Sequence, residues 1–330
     1  MQRLDPGARV VFLTTSIAVQ IVLRFGFVCH HVTPLSLAGD GLDPKAWNAL
    51  LQQTLDALVS LYNPVTLVFD GVRPYRGIVR VLERRPDLHR VWLRRARMVD
   101  PGMAVGREKT ESPFDQIIVA GELGCGESHD GGRRRRVPPI VLSDPQDLYP
   151  RETARAILGL PDERVTAYVQ LGAGNLGNDQ DLEPSMLESL CRQPHLDVVL
   201  GVSPIALRPR VYPWFRGRTL VDFPSAAYFR AFDVAVLAAG YNTVYEALYH
   251  RLPCILVPND ATGSDDQAAR ARAARSHGAV RVVSSSASTE DVVQAVLAEI
   301  PTLLGSERVI EPPFTNGASQ AAAAIVAGRA

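Results

Sequence analysis

The feature that most constrains this chain is a change of period repeated along almost its whole length. Short β-branched runs alternate with stretches whose apolar residues recur at helical spacing. RVVFLTTS (9–16), FVCHHV (27–32), TLVFDG (66–71), RVWLRRA (90–96) and DQIIVAG (115–121) read as strands in the first half. Residues 44–62 and 74–85 read as amphipathic helices between them. VTAYVQLG, DVVLGVS, TLVDF, DVAVLAA, CILVP and AVRVV repeat the alternation in the second half. Continuous apolar strands separated by helices predict parallel sheets covered on both faces. Two such series predict an α/β chain with two Rossmann-like, doubly wound parallel-sheet domains. Prolines and a Ser-Asp-Pro turn in 137–152 break the periodicity, which sets the expected domains at 1–143 and 144–310, with a C-terminal helix in 311–330.

Charge separates the halves. Residues 1–143 carry 19 Lys+Arg against 14 Asp+Glu, and residues 144–330 carry 16 against 21. Nine arginines against two acids in 73–97 give a basic face, suited to an anionic membrane or acceptor or to plain solvation. The run RRRR at 133–136 reads as a solvated loop. Four dispersed cysteines without a C-x-x-C spacing exclude the common zinc patterns and give no disulfide framework, which points to a reducing compartment. The early apolar run, VVFLTTSIAVQIVL, is 14 residues long and too polar to span a bilayer. The expected location is cytoplasmic, with contact at the inner membrane face through the basic half as an added expectation.

Three turns after strands of the second half carry the chemistry, since open α/β sheets place ligands beyond the carboxyl ends of their strands. In LGAGN (171–175), Gly172 and Gly174 permit close backbone approach and Asn175 adds a polar side chain. The loop lacks the third glycine of a dinucleotide fingerprint. No acid closes the next strand for a ribose, so a dehydrogenase is disfavoured. In AAGYNTVYEAL (238–248), Thr243 and Glu246 fit a capping box, which alone would explain both. Gly240 and Asn242 before them fit the other reading, a helix end open to a phosphate. In GSDDQAARARA (263–273), Asp265 and Asp266 read as capping residues, whereas Gln267 suits neutral hydroxyls.

In order and spacing these turns resemble the donor-binding domain of GT-B glycosyltransferases, in particular the bacterial peptidoglycan N-acetylglucosaminyltransferase group. The resemblance covers about 153–297, and its specific part is strand–G-x-x-T-x-x-E–helix followed by LPCILVP. It implies that the helix near Thr243 receives the diphosphate of a nucleotide sugar, that Glu246 binds ribose and that Gln267 contacts the sugar. Phe223 falls where the base pocket is built. The group usually has His where Asp266 stands and Asn where Arg270 stands. The group's opening strand and glycine-rich turn have no counterpart before RVVFLTTS, so the N-terminal sheet is expected to be incomplete, from a misplaced start or a degenerate gene. In-frame upstream codons encoding no such strand would remove the misplaced-start explanation.

The implied activity is transfer of a sugar from a nucleotide diphosphate sugar, UDP-linked by family precedent, to an acceptor hydroxyl, without a metal or cofactor and without nucleic acid as partner. The alternatives are a non-catalytic nucleotide-sugar-binding helper and a hydrolase or epimerase of the same fold. Asp70, ending a strand before a glycine, is the candidate base, against the plainer reading of a turn-forming Asp. His30 and His31 read as structural.

Overall fold

A computed structural model describes residues 4–37, 41–97, 110–126, 131–172, 181–206, 210–259, 265–277, 279–306 and 311–328. The chain divides into two compact units, one of residues 1–121, 126–138 and 317–330, the other of 122–125 and 139–316. The boundary thus falls at Pro138/Pro139 rather than at 143/144. The C-terminal helix is not a separate piece either, since it belongs to the first unit.

In the first unit, β1 (Val11–Thr14) pairs in parallel with β2 (Val28–His31), and helix α1 (Val19–Arg24) connects them. A four-stranded parallel sheet follows, β3 (Thr66–Asp70), β4 (His89–Arg95), β5 (Gln116–Ala120) and β6 (Arg134–Val137), in that order. Among the described residues the two sheets do not join into one ladder. Helices α2 (Pro44–Tyr62) and α3 (Arg76–Arg84) cover both sheets. Leu13 of β1 and Leu67 of β3 pack on the same cluster of Leu55, Val59, Val81 and Leu88.

Helix α2 forms where the sequence places a start signal, an apolar stripe and a stop. Asp43 caps it by accepting from the Lys45 N–H at 2.9 Å, with Pro44 at the first position. Trp47, Leu51, Leu55 and Val59, four residues apart, form its buried stripe. Asn63 ends it in a left-handed conformation at φ 42°. His30 Nε2 meets the Tyr62 hydroxyl at 2.9 Å, a structural use. At Gly77, α3 approaches α2 so closely that a Cβ would collide with the Asn48 carbonyl. Gly77→Ala is therefore expected to destabilise the unit by about 1–3 kcal/mol, measured by urea unfolding, because the backbones must separate.

The arginine run departs from its expected loop. Arg134–Val137 is strand β6, paired in parallel with β5. Arg134 donates to Glu111 Oε2 at 2.6 Å, and Glu111 is only 7% exposed. Val137 points into the core. An edge strand with one buried carboxylate beside it accommodates arginines that a central strand could not.

The second unit is one six-stranded parallel sheet: β7 (Val165–Gln170), β8 (Leu196–Gly201), β9 (Arg218–Leu220), β10 (Val234–Ala238), β11 (Cys254–Val257) and β12 (Val280–Val282). Their order is β12-β11-β10-β7-β8-β9, a doubly wound sheet whose winding reverses between β7 and β10. Helices α4 (Arg151–Leu158), α5 (Leu182–Cys191), α6 (Tyr241–Tyr249), α7 (Gln267–Ala274) and α8 (Thr289–Leu304) flank it, whereas α9 (Ala318–Ala327) lies in the first unit. Alternate residues of β10 face opposite layers. Val234 and Val236 pack with Leu187, Val296 and Ile300, while Ala235 and Leu237 pack with Val244, Leu248 and Ala271. Two buried faces explain why these strands read as unbroken apolar runs. No helix among the described residues is long and apolar enough to cross a membrane.

Candidate functional site

The reversal point brings two of the predicted turns together, because β7 and β10 are hydrogen-bonded neighbours. Beyond β7 lies Gly172, whose φ of +108° favours glycine, although a Cβ there would meet nothing within 4 Å. Gly174 and Asn175 lie outside the described residues. Beyond β10 lies Gly240, whose backbone (φ −64°, ψ 155°) any residue could adopt. A Cβ on Gly240 would meet only Thr243 Oγ1, at 3.9 Å. Among the described residues, neither the backbone nor the packing accounts for a glycine at this position.

Helix α6 starts three residues earlier than the capping-box reading of Thr243 and Glu246 requires. Gly240 is the N-cap, and among the described residues no side chain caps the helix. The first helical bond runs from the Val244 N–H to the Gly240 carbonyl at 3.0 Å, so the Asn242 and Thr243 amides precede it. Asn242 is exposed and Thr243 half-buried. No acid occupies the first turn. With the helix dipole behind them, these amides suit an anion.

Glu246 follows on the same helix, half-buried. Burial pushes its carboxyl up to about 7. The Tyr168 phenol of β7 is close enough to sense its charge. A partly buried carboxylate one turn into an uncapped helix is a natural acceptor for a pair of hydroxyls.

The inner face of α6 fixes its direction. Tyr245 is fully buried, and its hydroxyl accepts from the Leu123 N–H at 2.7 Å. The Tyr241 hydroxyl accepts from the Ile140 N–H at 3.1 Å. These two anchors were not foreseen from the sequence; two tyrosines four apart on one helical face are a signal only once the helix is placed.

The third turn resolves into separate roles. Asp266 is the N-cap of α7, accepting from the Ala269 N–H at 2.9 Å, as its capping reading implies. Asp265 does not cap; it binds Arg270. Gln267 is buried at 8% exposure, and its Oε1 accepts from the Asn259 N–H at 3.0 Å, beyond the end of β11. Phe223 lies past the end of β9, half-buried, with its N–H bonded to Asp222 Oδ1 at 2.8 Å.

In the other unit, Asp70 ends β3 and is exposed. The protein around its carboxyl removes part of its hydration and pushes its pKa upward, with Arg95 opposing. A cavity lined by Asp233, Arg251, Pro253 and Val280 opens at the amino-terminal ends of the second unit's strands, opposite the turns described above. Parallel α/β sheets do not place their ligands at that end.

Residues 219–316, from β9 through α8, match the glycosyltransferase family 28 C-terminal domain. The chain is 26% identical over 219 residues to a Deinococcus radiodurans protein, UDP-N-acetylglucosamine–N-acetylmuramyl-(pentapeptide) pyrophosphoryl-undecaprenol N-acetylglucosamine transferase. That match covers 55% of this chain and 54% of the relative, so the chain spans about half the length of the curated relative it matches. Among solved structures, it is similar to MurG of Acinetobacter baumannii (TM-score 0.60, 13% identity, 99% of this chain and 93% of that one). It is also similar to CalG4, the calicheamicin glycosyltransferase (TM-score 0.55, 15% identity, 98% and 91%). A third likeness is to UDP-GlcNAc 2-epimerase of Neisseria meningitidis bound to UDP-GlcNAc (TM-score 0.59, 12% identity, 93% and 88%). The fold is the GT-B fold. Within it, residues 219–316 are similar to the C-terminal domain of family 28 glycosyltransferases.

Proposed function

We propose that the chain transfers a sugar from a UDP-linked donor to an acceptor hydroxyl. The observation that carries this reading is the uncapped start of α6 with the half-buried Glu246 on the same helix. The Asn242 and Thr243 amides would bind the diphosphate and Glu246 the ribose hydroxyls. The amide group of Gln267, whose carbonyl oxygen is engaged by Asn259, would meet a sugar hydroxyl. Gly172, with Gly174 and Asn175, would approach the donor through the backbone, and Phe223 would lie by the base. Asp266, as a cap, would act through the placement of Gln267. As the glycosidic bond breaks, charge grows on the departing diphosphate, and the positive end of α6 stabilises it at contact distance without a metal. The unit's net negative charge matters little at that range. A base removes the acceptor proton, and Asp70 of the basic first unit is the candidate.

Supplying UDP-N-acetylglucosamine with and without lipid-linked muramyl-pentapeptide tests the reading, with UDP release as the measured quantity. Release that requires the acceptor is the expected result. Release without acceptor identifies a hydrolase or an epimerase side reaction, and binding without release a helper protein. Asp70→Asn is expected to lower turnover at least roughly a hundredfold, as loss of a general base does, with UDP binding unchanged. Equal turnover in that variant removes Asp70 from the mechanism.

A further inference from the structure

Arg270 is 1% exposed, and its guanidinium is held by three parts of the second unit. Nε donates to Glu122 Oε2 at 2.9 Å, and the Glu122 side chain is 0% exposed. Nη1 donates to the Ala239 carbonyl at 2.9 Å and to Asp265 Oδ2 at 3.1 Å. Nη2 donates to Asp265 Oδ1 at 2.5 Å. The guanidinium carbon lies 5.8 Å from the Tyr241 ring centroid.

These partners are not scattered. Ala239 immediately precedes Gly240, the cap of α6, and Asp265 lies two residues before Gln267 at the start of α7. Glu122 belongs to the short 122–125 segment whose Leu123 N–H binds Tyr245 of α6. A rigid planar fork is the one side chain that can bind all three at once. A buried ion with this many directed bonds admits few alternative placements of the groups around it.

We propose that Arg270 is a positioning residue of the donor site. It locks the turn before α6 to the turn before α7, so that the amides facing a diphosphate and the Gln267 amide facing a sugar keep one fixed separation. Glu122 balances its charge and orients the fork. The proposal rests on the reading that α6 binds the diphosphate.

Calorimetric titration with UDP and with UDP-N-acetylglucosamine tests it on wild type, Arg270→Lys, Gln267→Ala and the double variant, with circular dichroism checking the fold. Arg270→Lys keeps the charge but not the fork. It is expected to weaken UDP binding roughly tenfold, the scale of a lost bond to a charged group. The sugar nucleotide should lose more, so that its advantage over UDP shrinks. The double variant should shrink that advantage no further than either single variant does. A folded Arg270→Lys with wild-type affinities, or an effect simply additive with Gln267→Ala, overturns the positioning role. Should Arg270→Lys not fold, Glu122→Gln, which keeps shape and acceptor, is expected to reduce the same advantage, and an unchanged advantage overturns the role. A wild type that binds neither nucleotide removes the diphosphate reading and the positioning role with it.

Discussion

Replacing Glu246 with Gln is expected to weaken UDP binding roughly 10- to 100-fold, the loss of hydrogen bonds to a charged acceptor. The same change is expected to make the unliganded protein melt higher at pH 8. The two effects share one cause. Burial raises the Glu246 carboxyl from 4.5 to about 7. Between those values the folded state holds a proton that the unfolded state has released, so stability falls as pH rises. Above about 7 the folded protein carries the full penalty of a partly desolvated carboxylate, and Gln removes it. Near pH 4 both states are protonated, and the melting advantage of Gln should vanish. Binding runs the other way. Ribose hydroxyls need the ionised acceptor, so wild-type affinity should climb through pH 7 more steeply than that of Glu246→Gln. UDP's own ionisation is common to both proteins and cancels in the comparison. Scanning calorimetry and UDP titration at pH 4, 6 and 8 read both effects. A Gln variant with unchanged affinity, or one less stable at pH 8, contradicts this account of Glu246.

Gly240→Asp should abolish measurable UDP binding while leaving the fold intact or slightly firmer. The backbone at Gly240 is already that of an ordinary N-cap, and an Asp there would turn its carboxylate onto the first-turn amides. The stability gain is about a few tenths of a kcal/mol, because glycine is itself a tolerable cap. The binding loss is much larger, since a fixed negative charge would sit where the diphosphate is proposed to lie, and like charges in contact oppose each other by several kcal/mol. Gly240→Ala is the control: its Cβ meets only Thr243 Oγ1 at 3.9 Å, and it should stay within roughly threefold of wild type. Equal binding by the Asp and wild-type proteins would place the nucleotide elsewhere.

What the sequence made legible follows from which signals are local. The buried strands of the second unit announce themselves because both faces are covered, as the two layers around β10 show. Helix α2 was readable end to end, with Asp43, Pro44 and a four-residue apolar stripe marking it. Strand β6 was not. Its residues are RRRV, and its pairing depends on β5 and on Glu111, neither near it in sequence. At α6 the local signal misled. Thr243 and Glu246 satisfy the spacing of a capping box, but the apolar inner face of Tyr241, Val244, Tyr245 and Leu248 starts the helix at Tyr241. That shift leaves Glu246 without a capping role. The Arg270–Glu122 pair spans 148 residues, and no local pattern could have joined them.

The most direct test is a crystal structure of the protein with UDP. The account predicts diphosphate oxygens within hydrogen-bond reach of the Asn242 and Thr243 amides, and the Glu246 carboxylate between the two ribose hydroxyls. UDP bound away from α6, or Glu246 turned from the ribose, would contradict it.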